Sequence, residues 1–358
     1  MIKKHLIILF CIIAIFTLAA QIAKTKYPSN DKSKIKYGYV DKSGQVVIQP
    51  QFKEAGDFKE GLTYVCNQKC GFIDKNGKFA IKPQYDKAKD FSEGLAAISI
   101  STKYGYINKV GKLIIKPQFV VAHSFHDNLA YVVFEDGSKL KDGYIDKTGK
   151  IVLTIPYKTY NFLDVHSDFY DGLAFIKING KYGFINKKGE IVIDPKFDSL
   201  FGGLDNFEST PIPVKESYWG YIDKTGKFVI GTFFDKATRF REGLAAVRKD
   251  NKWGYIDKTG KFVIEPQFED AGYFGNGLAP VVLNNKRGYI NKKGEIVIPL
   301  KFDVIKYPTE GIFNDSRACV NINNKMGFID KLGKLAIKPV FDYAGNFSEG
   351  FAKVGIKN

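Results

Sequence analysis

Arginine is nearly missing from this chain, with five residues in 358, and methionine is rarer still, with two. The formal charge is nevertheless +16, so almost all of the positive charge is lysine. A protein without arginine's planar fork has few means of reading base edges and phosphates in pairs. The lysines are also spread evenly, with no stripe or block. Nucleic acid is therefore not expected as a partner. Two methionines set against 35 Gly, 30 Phe and 20 Tyr favour strands and turns over helices.

Recognisable reaction chemistry is the next absence. No Ser, His and Asp stand in a setting that suggests a nucleophile and its base. The Gly-to-Lys string at Gly220–Lys227 has no Ser or Thr after the lysine, and it opens a strand rather than a helix. Only four histidines are present. His123 and His126 lie beside Asp127, with His166 further on, and such a set could bind zinc. The aligned loop of another repeat carries Gly56 and Lys59 at those places, which reads as exposed surface. Repeated carboxylates such as Asp257 and Glu242 sit in turns, where capping accounts for them. The expectation is a non-enzyme with no catalytic residue, no cofactor and no metal.

What is present begins with an export signal. Lys3 and Lys4 precede an apolar run from Leu6 to Ala20. Residues 1–23 read as a signal peptide, or as an uncleaved anchor, because Leu6 to Ala23 just reaches bilayer length. Cys11 lacks the small residues before it that lipidation needs. Residues 24–36 read as a linker and 37–358 as a repeat array. Loss of Lys3 and Lys4 with the signal would lower the charge to +14, from 52 basic and 38 acidic residues. The expected location is secreted, periplasmic or cell-surface, anchored by residues 6–23 if the signal stays. Membrane contact is then confined to that segment.

The array is a ninefold repeat. A glycine recurs at Gly38, Gly71, Gly105, Gly143, Gly183, Gly220, Gly254, Gly288 and Gly327. Each is followed by an aromatic, a β-branched residue, Asp or Asn, Lys, and a second Gly three places after the Asx. Further on come three apolar residues, usually a Pro-x-aromatic, then a loop ending like Glu242-Gly243-Leu244-Ala245. Each unit reads as three strands, for example Trp253–Asp257, Phe262–Phe268 and Leu278–Leu283. Asp-Lys-Thr-Gly at 257–260 fits a tight turn in which Gly260 takes positive φ. Alternation leaves both faces of the sheet apolar, so a neighbouring unit must cover each side.

Lys252-Trp253-Gly254-Tyr255-Ile256-Asp257-Lys258-Thr259-Gly260-Lys261, with its near-duplicate around Trp219-Gly220, resembles the WG-repeat (KWG-repeat) proteins of bacteria. The resemblance covers residues 37 to 358. It implies an envelope-associated protein without an assigned activity, and it brings no catalytic residues. Tryptophan itself survives only at Trp219 and Trp253. Asp142 and Arg287, standing in its place, suggest looser packing or exposure in their units.

The expected fold is all-β, nine tandem three-stranded repeats in an open solenoid-like stack, with a closed β-propeller as the alternative. The stack is preferred for two reasons. Each unit has three strands of its own, leaving none for closure, and nine blades exceed the usual four to eight. Cys66 and Cys70 flank a tight hairpin, which puts them within disulfide range; Cys319 has no evident partner. The expected function is an exported binding module for an unknown protein or glycan, or an anionic polymer, with a purely structural envelope spacer as the alternative.

Overall fold

The repeat's strands form where the alternation puts them, and they are joined differently from the units read in the sequence. The computed structural model describes residues 35–155, 168–200, 211–304 and 311–357. The chain divides into Lys36–Ile356, treated below, and a unit of residues 1–35 with 357–358. Most of that second unit lies outside the described residues, including the expected signal and residues 24–34 of the expected linker, as does His166; residues 35 and 36, expected as linker, instead open a strand. Among the described residues there are strands and turns and no helix long and apolar enough to cross a membrane.

One sheet represents the four-stranded ones; the two that begin at Leu173 and Ala318 have three strands among the described residues. Asp270–Ala271, Ala279–Leu283, Lys286–Ile290 and Ile296–Phe302 lie side by side in that order, all antiparallel. The second strand is the third strand of one sequence unit, and the next two are the first and second strands of the following unit. Structural blade and sequence unit are therefore offset. The two middle strands are almost wholly buried, while the last strand is exposed at alternate positions and forms the outer edge.

Nine such sheets ring a common axis. We number them as blades 1 to 9, with blade 1 spanning Glu54–Tyr85 and blade 2 Lys87–Phe119. Blade 3 spans Val121–Thr154, blade 4 Leu173–Phe197, blade 5 Ser199–Phe234 and blade 6 Lys236–Phe268. Blade 7 is Asp270–Phe302 and blade 8 Ala318–Phe341. Blade 9 is composite: Tyr343–Ser348 and Phe351–Lys357 from one end of the chain pair with Ile35–Asp41 and Val46–Phe52 from the other.

That composite sheet overturns the open stack. The offset leaves the first unit's two opening strands without a partner before them and the ninth unit's last strand without one after it. Their mutual pairing satisfies both sets of backbone groups and removes two open sheet edges. Counting three strands per unit concealed this, because the third strand of a unit does not pair with that unit's own first strand. The ring has nine blades.

Two glycines show why the repeat keeps them. Gly254 faces a bulge in the outer strand, where pairing jumps from Trp253↔Phe268 to Tyr255↔Ile264. A Cβ on Gly254 would lie 2.5 Å from the Ile264 carbonyl oxygen and 2.8 Å from the nitrogen of Pro266, so backbone packs directly on backbone. Pro266 sits in the bulge of an outermost strand, where no N–H is needed. Gly260 has φ of +86°, the left-handed value its turn requires. Asp257 closes that turn by accepting from the N–H of Thr259 at 2.9 Å and of Lys261 at 3.1 Å. The Thr259 hydroxyl, together with these N–H donors, holds the Asp257 carboxyl below its ordinary range.

Candidate functional site

The repeat's aromatic residues are consumed in the seams between blades. Among the described residues, the aromatic after the first glycine meets a loop phenylalanine of the next blade, as in Tyr39 with Phe58, Tyr106 with Phe125 and Tyr255 with Phe274. Ring centroids in these pairs are 4.9–5.0 Å apart, and all six rings are buried. Tyrosine hydroxyls at this position also donate across the seam, from Tyr106 to the His123 carbonyl at 2.7 Å and from Tyr255 to the Gly272 carbonyl at 2.9 Å. Trp219 and Trp253 are buried as well.

The Glu-Gly turn and the lysine of Asp-Lys-x-Gly form a second seam contact. Glu60 of blade 1 accepts from the Gly94 N–H of blade 2 at 3.1 Å and pairs with Lys109 of blade 2 at 3.0 Å. Glu93 does the same with Asn128 and Lys147, and Glu242 with Gly277 and Lys292. Glu349 of blade 9 accepts from the Gly61 N–H at 3.0 Å and pairs with Lys75 at 3.2 Å, both in blade 1. These clasps run one way round the ring and cross the 9-to-1 junction like the other seams. The lysine's partner lies in the preceding blade, which is why sequence reading found no role for it.

With these shared residues engaged, what distinguishes the blades is the inner loop, which joins the first strand of a blade to the second. The residue before the buried loop phenylalanine is Asp57, Asp90, Ser124 and Asp168 in blades 1 to 4, and Arg239, Tyr273, Ile312 and Asn346 in blades 6 to 9. Neighbouring loops touch: the Asp57 N–H reaches Asp90 Oδ2 at 3.4 Å, and Arg239 lies 5.2 Å from the Tyr273 ring centre. In blades 7 and 8 this position is filled by buried Tyr273 and Ile312. In blades 1 to 4 a cavity of about 340 Å³ remains, lined by Tyr64, Lys89, Asp90, His123, Ser124, His126 and Asp168.

Sequence reading placed His123 and His126 on an exposed surface; the ring folds them inward. His123 Nδ1 lies 3.0 Å from Asp168 Oδ1, and His126 Nε2 lies 3.8 Å from Asp168 Oδ2. The rings also lean on Tyr131 and Tyr170. Asp168, 45 residues from His123, carries no local signal of this role. Asp127 is elsewhere, accepting from the Gly172 N–H at 2.7 Å as a clasp. No group of three or more metal-binding side chains assembles among the described residues.

Asp90 is the least satisfied polar group of the cavity. One carboxyl oxygen is buried with no hydrogen-bond donor, packed against Gly56 and the Tyr64 side of the loop. The other has only the Asp57 N–H at 3.4 Å. Burial, reinforced by the Asp57 charge, pushes its pKa up to about 6, against the opposing pull of Lys353 and Lys59. Lys353 is itself engaged, donating to the Ala55 carbonyl at 2.9 Å and lying 3.4 Å from Asp57.

The remaining expected positions are structural. Cys66 and Cys70 face each other across the hairpin with their sulfurs bonded at 2.06 Å, and Cys319 is buried outside any disulfide. The bonded hairpin borders an outer groove of about 530 Å³ whose cations are Lys36, Lys53 and Lys69; Lys69 is paired with Asp86. Asp142 and Arg287, expected to mark loose or exposed units, are instead buried, 5% and 2% exposed. The Tyr131 hydroxyl donates to Asp142 at 3.2 Å.

Among solved structures, the chain is similar to one described as the eukaryotic initiation factor. The identity is 12% and the TM-score 0.50, over 79% of this chain and 85% of that one. Hsv2p of Kluyveromyces lactis matches at 10% identity and TM-score 0.33, over 77% and 88% of the two chains. Dihydro-heme d1 dehydrogenase NirN matches at 10% and 0.39, over 92% and 74%. At such identities the likeness is one of fold alone. No curated protein matches the chain. The family model for the WG containing repeat matches residues 37–69, 71–103, 104–137, 143–182, 182–202, 219–253, 253–286, 288–325 and 326–358. Nine matched repeats thus span the array, and the chain belongs to the family of WG containing repeat proteins.

Proposed function

We propose that this protein is an exported, non-enzymatic binding module that engages an envelope or extracellular partner, protein or glycan, through the face bearing its inner loops. One observation carries the reading. Residues that the repeat shares are taken up in holding blades together, while the position before the buried phenylalanine changes its chemistry from blade to blade. Variable loops on a rigid frame are the usual construction of a recognition surface. The repeated rings are buried, so sugar stacking on a repeated aromatic platform is not how this ring would bind.

A non-catalytic role is supported by the repeated carboxylates, which already serve turns and clasps. Export is supported by the apolar segment after Lys3 and Lys4 and by the Cys66–Cys70 bond, of a kind that persists in oxidising compartments.

Capture from envelope extracts tests the face. Ser124→Trp, which fills the cavity, should lose the partner, and Phe233→Ser, at an exposed outer-strand position, should keep it. The reverse pattern would contradict the proposal. Fractionation tests export, and retention of the chain in the cytoplasm would refute it.

A further inference from the structure

We propose that the cavity among blades 1 to 4 is a binding site for a primary ammonium group, seated on the Asp90 carboxylate and bordered by the His123–His126–Asp168 cluster. The inference rests on the inner-loop face being the binding face, and it names the chemistry that face recognises.

A half-buried carboxylate can accept several hydrogen bonds. Asp90 has one, at 3.4 Å, and one of its oxygens has none. Leaving such a group unsatisfied is unfavourable, and most native structures avoid it. Here the chain does not relieve it from within. Lys353 is held by Ala55 and Asp57, and neither it nor Lys59 donates to the unsatisfied oxygen. Lys89 also lines the cavity.

Asp168 differs from Asp90 in having two imidazoles beside it. The positive charge those rings can carry is therefore already opposed by a carboxylate of their own. No cation donates a hydrogen bond to Asp90, whose one hydrogen bond is from the Asp57 N–H at 3.4 Å, and its carboxylate lines the cavity. An ammonium supplies three N–H donors and the missing charge. The cavity's volume of about 340 Å³ admits the end of an alkylamine or of a lysine side chain. A chain of charge +16 repels amines at long range, so saturable amine binding would report a local site rather than general attraction.

The test is calorimetric titration of the purified full chain at pH 8 with two amines. The probes are n-butylamine, a free amine, and Nα-acetyl-lysine amide, an amine carried on a peptide unit; Nα,Nε-diacetyl-lysine amide, which has no ammonium group, is the control. At least one amine should bind with one-to-one stoichiometry and the control should not. Asp90→Asn should weaken binding on the order of ten- to a hundredfold, as loss of a charge-assisted hydrogen bond does. Tighter binding of the lysine amide would identify a protein's lysine as the source, and tighter binding of n-butylamine a free amine. Should Asp90→Asn fail to fold, carbon-13 spectra of aspartate-labelled wild type replace it, with the Asp90 carboxyl signal moving on addition of n-butylamine. Absence of amine binding, equal binding by the variant, or an unmoved carboxyl signal would overturn the proposal. Failure here alongside partner loss in Ser124→Trp would remove the ammonium and leave the binding face.

Discussion

The inner loops of blades 1 to 4 and those of blades 6 to 8 grow from the same repeat position and end in opposite states. On one arc Asp90, Ser124 and Asp168 border a polar cavity, with Asp57 beside Asp90; on the other Tyr273 and Ile312 are buried and Arg239 lies against the Tyr273 ring. The frame beneath is the same on both arcs, with the same glycine against the outer bulge and the same clasp to the next blade. A repeat thus divides its residues into those that build the ring and those left free to differ, and function is to be sought among the second kind.

The frame should break alike on both arcs. Gly71→Ala in blade 1 and Gly288→Ala in blade 7 each place a Cβ 2.6 Å from an outer-strand carbonyl oxygen. Each should lower stability by about 3 kcal/mol, as overpacking against backbone does. Denaturant melts of the two variants would check this, and a large difference would show that the arcs do not share one frame.

The inner loops should respond in opposite directions. Tyr273→Asn empties a buried position and should destabilise by about 2 kcal/mol or more. Asp90→Asn should stabilise at pH 8. Because the folded pKa of Asp90 is raised to about 6, its contribution to stability is fully present below the ordinary value of 3.8 and is lost as pH rises through about 6. The advantage of asparagine should therefore be on the order of 2 kcal/mol at pH 8 and vanish near pH 4. Melting temperatures of both proteins across that range decide it; a gain that does not change with pH would mean the carboxylate is not strained by burial.

Smaller effects belong to the seams. Tyr106→Phe and Tyr255→Phe each remove a hydroxyl donated to a carbonyl of the next blade and should cost about 1 kcal/mol. Phenylalanine stands at the same repeat position in Phe72, Phe184 and Phe328, so both variants should fold. Lys109→Ala and Lys292→Ala remove half-exposed ion pairs and should cost less than about 0.5 kcal/mol, falling toward zero in high salt. A loss as large as that of the tyrosine variants would mean the clasp is electrostatic first and a backbone contact second.

Strands and turns were legible because their causes are local. The alternation around Trp253 and Phe262, and the Asp-Lys-Thr-Gly turn ending at Gly260, are written within ten residues of themselves. Closure was not, because the strand ending at Lys357 pairs with the one beginning at Ile35, and no local pattern marks a partner that distant. The same holds for the cavity. His123 meets Asp168 only because consecutive blades bring their inner loops together. Lys109 likewise explains its place in the repeat only through Glu60 of the preceding blade. Arg287 was misjudged for a related reason: charge suggested exposure, and the structure buries it at 2% exposed.

Ring closure is the claim on which the seams, the clasps and the two arcs all depend. Zero-length carbodiimide coupling of the monomer, read by mass spectrometry, tests it directly. Lys75 and Glu349 lie 3.2 Å apart across the junction of blades 1 and 9, so the closed ring predicts a peptide joining them. It should form alongside the Lys109–Glu60 and Lys292–Glu242 products of ordinary seams. In an open stack of nine sheets spaced about 10 Å apart, the ordinary products would form, Lys75 and Glu349 would be tens of ångströms apart, and their crosslink would be missing.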